Sequence, residues 1–449
     1  MNMTYIRTRW VALMLAAASS QNALAAESDW KPPGLFGFIK QEVGYSYQHE
    51  DFKLSKVRTS VGLGAESNFD SNWKIKVDTS TWYDAAYQVE GRDRFSDETL
   101  EVYETDFRVN EAYVDIDLPA SMNLRIGRQY FGWGESLGVT QISDIGNPRD
   151  LKELGLQHVE FARLPVGSTK LTFLGASWEY NLIAIHEFRA YEFGAEGSEF
   201  DPLLALRNPQ TVIRDPQEPN TSLSDNGVLT RLFLSQNWGD ISFFWGKAYE
   251  GTPALTLQNV DADTGVTTYL PEYKKVESYG FFGNVVAGSW SLLFDVARKK
   301  NLPIAVGSDY IRDQLQTGSG AAIGWQPHHV LQSMLGFEYS GWSETIVSME
   351  YLREYIEDYD SRLADDQTAQ QVSLYVSREF MRDTLTTTFW VSHDLDDRSN
   401  LFRIDFDYAY NDHLRYSVSF SGIDADNRES FFYDYRKTDR VTVGLKYSF

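Results

Sequence analysis

Cysteine is absent from all 449 residues, which excludes a disulfide scaffold and any thiolate metal site. Positive charge is scarce, with 41 Lys and Arg against 64 Asp and Glu, and this balance argues against nucleic-acid binding. Beyond the first two dozen residues no run is long and apolar enough for a transmembrane helix. No low-complexity linker or composition break marks a domain boundary. The metallohydrolase string H-E-x-x-H does not occur. His393, Asp394 and Ser399 lie close in sequence, but closeness across a strand end is not catalytic geometry. No catalytic residue, cofactor or metal site is expected, and a barrel-embedded hydrolase stays a minor alternative.

What is present begins with an export signal. Arg7 and Arg9 precede an apolar run over 10–18, and Ala23, Leu24 and Ala25 offer small residues for cleavage. Residues 1–26 are expected to be a signal peptide and 27–449 one exported domain, since β-rich folds routinely exceed the usual length per domain. Without the leader, 39 bases face 64 acids, a net charge of −25. Acids crowd 90–106 and 192–218, which read as solvated loops, or as bridges through divalent ions to lipopolysaccharide.

Strand periodicity dominates the remainder. Successive strand side chains point to opposite faces, and five segments keep every charge on one parity. Lys74, Lys76, Asp78 and Asp84 oppose Trp73, Ile75, Val77 and Tyr83; Glu111, Asp115 and Asp117 oppose Ala112, Val114, Ile116 and Leu118. Arg403, Asp405 and Asp407 oppose Phe402, Ile404 and Phe406; Arg415 and three serines oppose Leu414, Tyr416, Val418 and Phe420. The last segment, 441–449, sets Val441, Val443, Leu445, Tyr447 and Phe449 against Thr442, Gly444, Lys446 and Ser448. A one-residue slip would turn about a dozen charges toward lipid, at roughly 2–4 kcal/mol for each Lys or Arg near the midplane.

Less regular strands fit at 36–47, 56–66, 123–131, 168–174, 180–188, 228–236, 241–249, 275–286, 290–297, 330–339, 345–355, 370–379 and 384–395. The fold expected is an all-β transmembrane antiparallel barrel of eighteen strands, or sixteen if one weak pair is misread. An even number leaves both termini in the periplasm, short turns there and longer loops outside. The proline-bearing stretch 191–226 and the aromatic-rich stretch 423–437 read as extracellular loops. The terminal Phe449 resembles the signal by which the outer-membrane assembly machinery recognises clients.

The most individual stretch runs from Arg125 to Glu135 and on through Asn147, Pro148, Arg149, Asp150 and Leu151. It resembles a proteobacterial outer-membrane family of unknown function carrying a GRQ…WGE…NPxDL string, and more remotely phosphate-selective porins and alginate-export barrels. The resemblance covers about 30 residues well and implies a channel or a lipid-related transport accessory, without fixing a substrate. Arg125 and Gln129 share the polar parity and should face the lumen, whereas Arg128 falls on the apolar parity. It either lies near the interface or is turned inward by a bulge at Gly127, and the bulge is the preferred expectation. Asn147, Pro148 and Asp150 read as a capped helix start, predicting a short helix over 150–154. The 132–157 segment then either folds inward and narrows the pore or forms an external helical loop.

Function follows as expectation. The leading reading is an outer-membrane channel for passive passage of small polar or charged solutes, since barrels of this size leave an aqueous lumen. Its lining is expected from Lys74, Lys76, Asp78, Glu111, Asp115, Asp117, Arg125, Gln129, Arg403, Asp405, Asp407, Arg415 and Lys446. Its constriction is expected from Arg125, Arg128, Trp133, Glu135, Asn147 and Asp150. The alternative is a transporter of hydrophobic or lipid-like molecules working with periplasmic or inner-membrane partners. Outer-membrane lipid and lipopolysaccharide are the other expected partners.

Overall fold

Residues 33–48, 53–69, 72–139, 142–156, 162–220, 227–261, 263–317 and 324–449 are described by a computed structural model. The expected leader, 1–26, lies outside them. Periodicity of two becomes one antiparallel sheet of eighteen strands. The first half comprises β1 (Gly34–Ser46), β2 (Lys56–Asn68), β3 (Trp73–Asp84), β4 (Thr105–Leu118), β5 (Met122–Gln129), β6 (Val166–Leu174), β7 (Trp178–Ile185), β8 (Gly227–Gln236) and β9 (Gly239–Tyr249). The second comprises β10 (Lys275–Ala287), β11 (Trp290–Ala305), β12 (Trp325–Trp342), β13 (Thr345–Glu357), β14 (Thr368–Phe380), β15 (Leu385–Asp394), β16 (Asn400–Ala409), β17 (Leu414–Asp424) and β18 (Arg440–Ser448). Each strand pairs with the next, and β1 also pairs with β18, so the sheet closes and has no edge. Phe449 completes the seam: its N–H donates to the Gly37 carbonyl at 3.0 Å, and its own carbonyl accepts from Gly37 N at 2.9 Å.

All eighteen expected strands are present, and short turns alternate strictly with longer connections. β11 and β12 run further than the alternation suggests because a bulge after Lys299 resets their pairing before Leu302. A second bulge lies in β4, where Asp78 pairs with Glu111 but Thr79 pairs with Val109. It brings Arg108 to the same face as Glu111.

The two faces meet different surroundings. Val77, Phe243, Phe281, Phe337, Met349 and Leu445 are all exposed around the circumference. A soluble sheet with this alternation would bury that parity as its core. Here the apolar band points away from the chain, where only hydrocarbon can cover it.

Candidate functional site: a loop folded across the lumen

The connection between β5 and β6, residues 130–165, enters the barrel. Its base is set by one buried amide: Asn147 Oδ1 accepts from Phe131 N at 2.7 Å, and Asn147 Nδ2 donates to the Leu164 carbonyl at 2.9 Å. Asn147 is therefore committed to a tertiary strut and does not cap a helix. Asp150 accepts from Lys152 N at 3.1 Å through Oδ1 and from Arg108 at 2.5 Å through Oδ2. The helix expected over 150–154 does not form. Asp150–Leu151 instead pairs in parallel with Glu192–Phe193 of the next long connection, with Asn147 Oδ1 held by Phe131 N and Asp150 Oδ2 by Arg108.

One side of the loop is fastened by apolar contact. Phe131, Trp133, Val139 and Ile142 are buried in one cluster with Ile183, Leu229, Phe244, Phe282, Leu293, Met334 and Leu352, which come from the inner faces of seven successive strands, β7 to β13. Full burial of such side chains contributes about 1.5–3 kcal/mol each. Trp133 and Phe244 lie with ring centroids 6.0 Å apart.

Two buried carboxylates hold the backbone above this wall. Glu350 of β13 is 1% exposed; its Oε1 accepts from Leu137 N at 2.8 Å, and its Oε2 accepts from Gly138 N and Val139 N at 3.0 Å each and from Ser136 Oγ at 2.7 Å. Asp295 of β11 accepts from Ser143 N at 3.1 Å and Ser143 Oγ at 2.9 Å. Trp390 Nε1 donates to the Gly138 carbonyl at 2.7 Å. A side chain at Gly138 would meet Ser373 Oγ at 2.3 Å, so glycine is needed for this close approach.

The far side is fastened by charge. Glu153 takes Lys56 Nζ at 3.1 Å and Arg440 at 2.6 Å, and Arg403 donates to the Leu156 carbonyl at 2.8 Å. Burial pushes the Glu153 carboxyl up, but Arg440, Lys56 and Arg58 together outweigh it and hold it well below the usual carboxylate range. Arg108 adds Glu192 at 2.7 Å. The loop thus spans the lumen from the β11–β13 wall to β2, β16 and β18. Beside it Leu156 packs with Phe200, Leu401, Ile423 and Tyr435, joining three long connections.

The expected lining residues lie on the inner face, mostly in ion pairs or polar contacts. Lys74 pairs with Glu66 at 2.7 Å, Lys76 with Glu111, Arg125 with Asp115, and Arg403 with Asp405 at 2.8 Å. Asn123 bonds Asp117 at 3.0 Å, and Asn110 bonds Asp78 at 3.4 Å. Gln129 is fully buried, donating to the Ser168 carbonyl at 3.3 Å. Asp407 is half-buried beside Asp405. Lys446 is the register partner of both Lys40 and Arg415 across three strands, and among the described residues neither Arg415 nor Lys446 has a salt bridge.

The constriction candidates divide. Trp133, Glu135, Asn147 and Asp150 belong to the inward loop; burial raises the Glu135 carboxyl, and a hydrogen bond from Asn284 opposes that. Arg125 lies on the wall with its guanidinium 4.2 Å over the Tyr113 ring. Arg128 does not join them. The register through Gly127 is unbroken, so no bulge turns Arg128 inward; it keeps the outer parity and pairs with Glu187 at the end of its strand. The nearby β4 bulge is what redirects an arginine, and it redirects Arg108. His393 bonds Asn400 at 2.9 Å and the Ser399 hydroxyl bonds Asp397 at 2.6 Å, so these residues do not assemble a hydrolase triad. Sequence reasoning missed Asp295, Glu350, Glu153 and Arg440. Asp295 had a signal, a lone acid within an apolar run, which is almost never buried unless it has partners.

Residues 45–449 match the family described as Protein of unknown function (DUF1302), and the chain belongs to it. No curated protein matches. Among solved structures, the chain is similar to Acinetobacter baumannii OccAB3, with a TM-score of 0.53 at 10% identity over 94% of this chain and 99% of that one. It is also similar to Pseudomonas aeruginosa OccK9 (OpdG), at 0.51 and 10% identity over 93% and 98%. The Pseudomonas aeruginosa outer membrane protein opdK gives 0.51 and 8% identity over 92% and 98%. The likeness is one of fold, the large barrel of bacterial outer-membrane porins, and it agrees with the outer membrane that the apolar band around this barrel calls for.

Proposed function

We propose that this family member is a channel for small polar or charged solutes, whose path follows the charged arc of the lumen past a built-in constriction, the loop 130–165. The observation that carries the reading is the asymmetry of the inner face. The loop covers the apolar inner face of β7 to β13, while the opposite arc, β16 through β18 and β1 through β4, keeps charged side chains in water. Lys40 and Lys74 are 34% and 38% exposed although they point inward. Arg415 and Lys446, lacking salt bridges, give that arc a local excess of positive charge, and rings or rows of one sign bias a pore toward the opposite ion.

Planar-bilayer recording tests it. Deletion of residues 144–155 should raise single-channel conductance, and Arg415→Gln with Lys446→Gln should shift the reversal potential in a salt gradient toward cations. Unchanged conductance and selectivity in both variants would overturn the reading. The apolar inner wall supports a second reading, transport of hydrophobic molecules along β7 to β13 when the loop is displaced. Electrical silence of folded protein, with an apolar fluorescent probe taken up by cells expressing it, would favour that alternative.

A further inference from the structure

Between the inward loop and the wall lies a cleft with a cavity volume of about 110 Å³ and an open mouth, lined by apolar side chains and a few polar ones as small-molecule sites are. Two buried side chains on its border each leave an acceptor unused. Asp144 in the loop is 5% exposed; its Oδ2 accepts from Arg163 Nε at 2.6 Å, and its Oδ1 has no hydrogen-bond partner among the described residues. Gln332 on β12 is 8% exposed; its Nε2 donates to Glu354 Oε1 at 2.5 Å, and its Oε1 has no hydrogen-bond partner among the described residues. They come from distant parts of the chain and border one space, and each oxygen is closed to solvent in this structure, so a ligand meets it by a turn of the side chain.

Unused buried acceptors are costly, so the occupant that relieves the cost brings hydrogen-bond donors. Ionic groups on the border are already matched: Asp144 by Arg163 and by Arg149 at 3.9 Å, Glu250 by Lys299 at 3.7 Å. A charged occupant would meet no unpaired counter-charge there. Ile142, Ile145, Ile185 and Val276 supply apolar surface beside the two acceptors.

We propose that this cleft binds an uncharged, hydroxyl-bearing amphipathic molecule, its hydroxyls donating to Asp144 Oδ1 and Gln332 Oε1 and its apolar part lying against the isoleucines. The proposal rests on the channel reading for how the molecule arrives, and names the solute class that pauses at the loop. Binding itself is measured without any current, so the two can fail separately.

The test is titration calorimetry on the full barrel in amine-oxide micelles, with phenyl β-glucoside, its fully O-methylated derivative and phenyl phosphate as probes. The glucoside should bind at least about tenfold more tightly than either comparator. Gln332→Met keeps the side-chain length and removes the acceptor; it should weaken glucoside binding about tenfold and leave the methylated probe unaffected. Ala248→Phe fills the cleft and should abolish binding, with unchanged gel migration before and after boiling as the control for fold. No glucoside binding, equal affinity for the methylated probe, or indifference to both substitutions would overturn the proposal.

Discussion

Glu350, buried in the barrel wall, holds three backbone N–H groups and one hydroxyl of the loop. Hydrogen bonds to a charged group contribute about 1.5–3 kcal/mol each. Glu350→Gln keeps the shape but replaces one acceptor oxygen by a donor that faces other donors. It should loosen the loop, seen as greater open-channel current noise and a melting temperature lower than that of the parent. Unaltered noise and melting would mean that the loop is held without Glu350, by the apolar cluster, Asp295 and the Glu153 latch. Glu199, in the connection between β7 and β8, gives a pH effect of defined sign. Burial raises its carboxyl from 4.5 to about 7, with Glu153 adding to the rise and Arg440 and Lys56 opposing it. Its folded pKa is raised, so the fold favours the neutral form. That contribution is fully present below the ordinary value, declines as pH rises toward about 7, and is gone above it. Glu199→Gln should therefore raise the melting temperature at pH 8 and leave it unchanged near pH 4.5; an equal gain at both would sink the assignment. Glu153 has the opposite sign. Its depressed carboxyl keeps the ionic latch to Lys56 and Arg440 through mild acid, so acidification to pH 5 should not open the loop.

Elements show why some of the wall was readable and some was not. The five strands with clean alternation are β3, β4, β16, β17 and β18, all in the arc whose inner face meets water. Strands β7 to β13 carry apolar residues on both faces, because their inner face meets Phe131, Trp133, Val139 and Ile142. Period-two patterning blurs wherever the lumen is filled by protein. The facing of the clean arc is directly testable. Val443, 53% exposed to lipid, pairs with Val43 and Val418, whereas Ser417 points inward beside Asp407. Val443→Arg should reduce folded yield in membranes by the roughly 2–4 kcal/mol that an arginine costs near the midplane. Ser417→Arg should fold nearly as the parent does. Equal yields would mean that the register has been assigned to the wrong face. Helix signals failed for a related reason. Asn147 and Asp150 carry the right chemistry for capping, but a cap is a local bond of about 1 kcal/mol. Asn147 makes two longer-range bonds instead, to Phe131 and Leu164, and Asp150 is drawn to Arg108.

At the scale of the molecule, closure is the stabilising event. The β1–β18 pairing removes the last open edge, and Phe449 bonds Gly37 in both directions across it. Such a barrel should migrate faster on detergent gels before boiling than after. Identical migration, with a helical circular-dichroism spectrum, would contradict it. The inward loop ties the same wall together across its diameter, so truncating residues 144–155 should also lower the temperature at which the fast-migrating band disappears.

Strand number, register in the charged arc and the facing of Lys74, Asp115, Arg403 and Lys446 were legible in the chain, because lipid on one side and water on the other impose opposite demands on neighbouring residues. The choice between an inward loop and an external one was not. It depends on Asp295 and Glu350, more than 140 residues downstream of the groups they hold, and on Glu153 meeting Lys56 and Arg440. Nothing local to 130–165 specifies those partners; only closing the barrel brings them to the same depth. The same holds for Arg108, turned to the inner face by an extra residue in β4, while Arg128 keeps its outer parity because the register through Gly127 is unbroken.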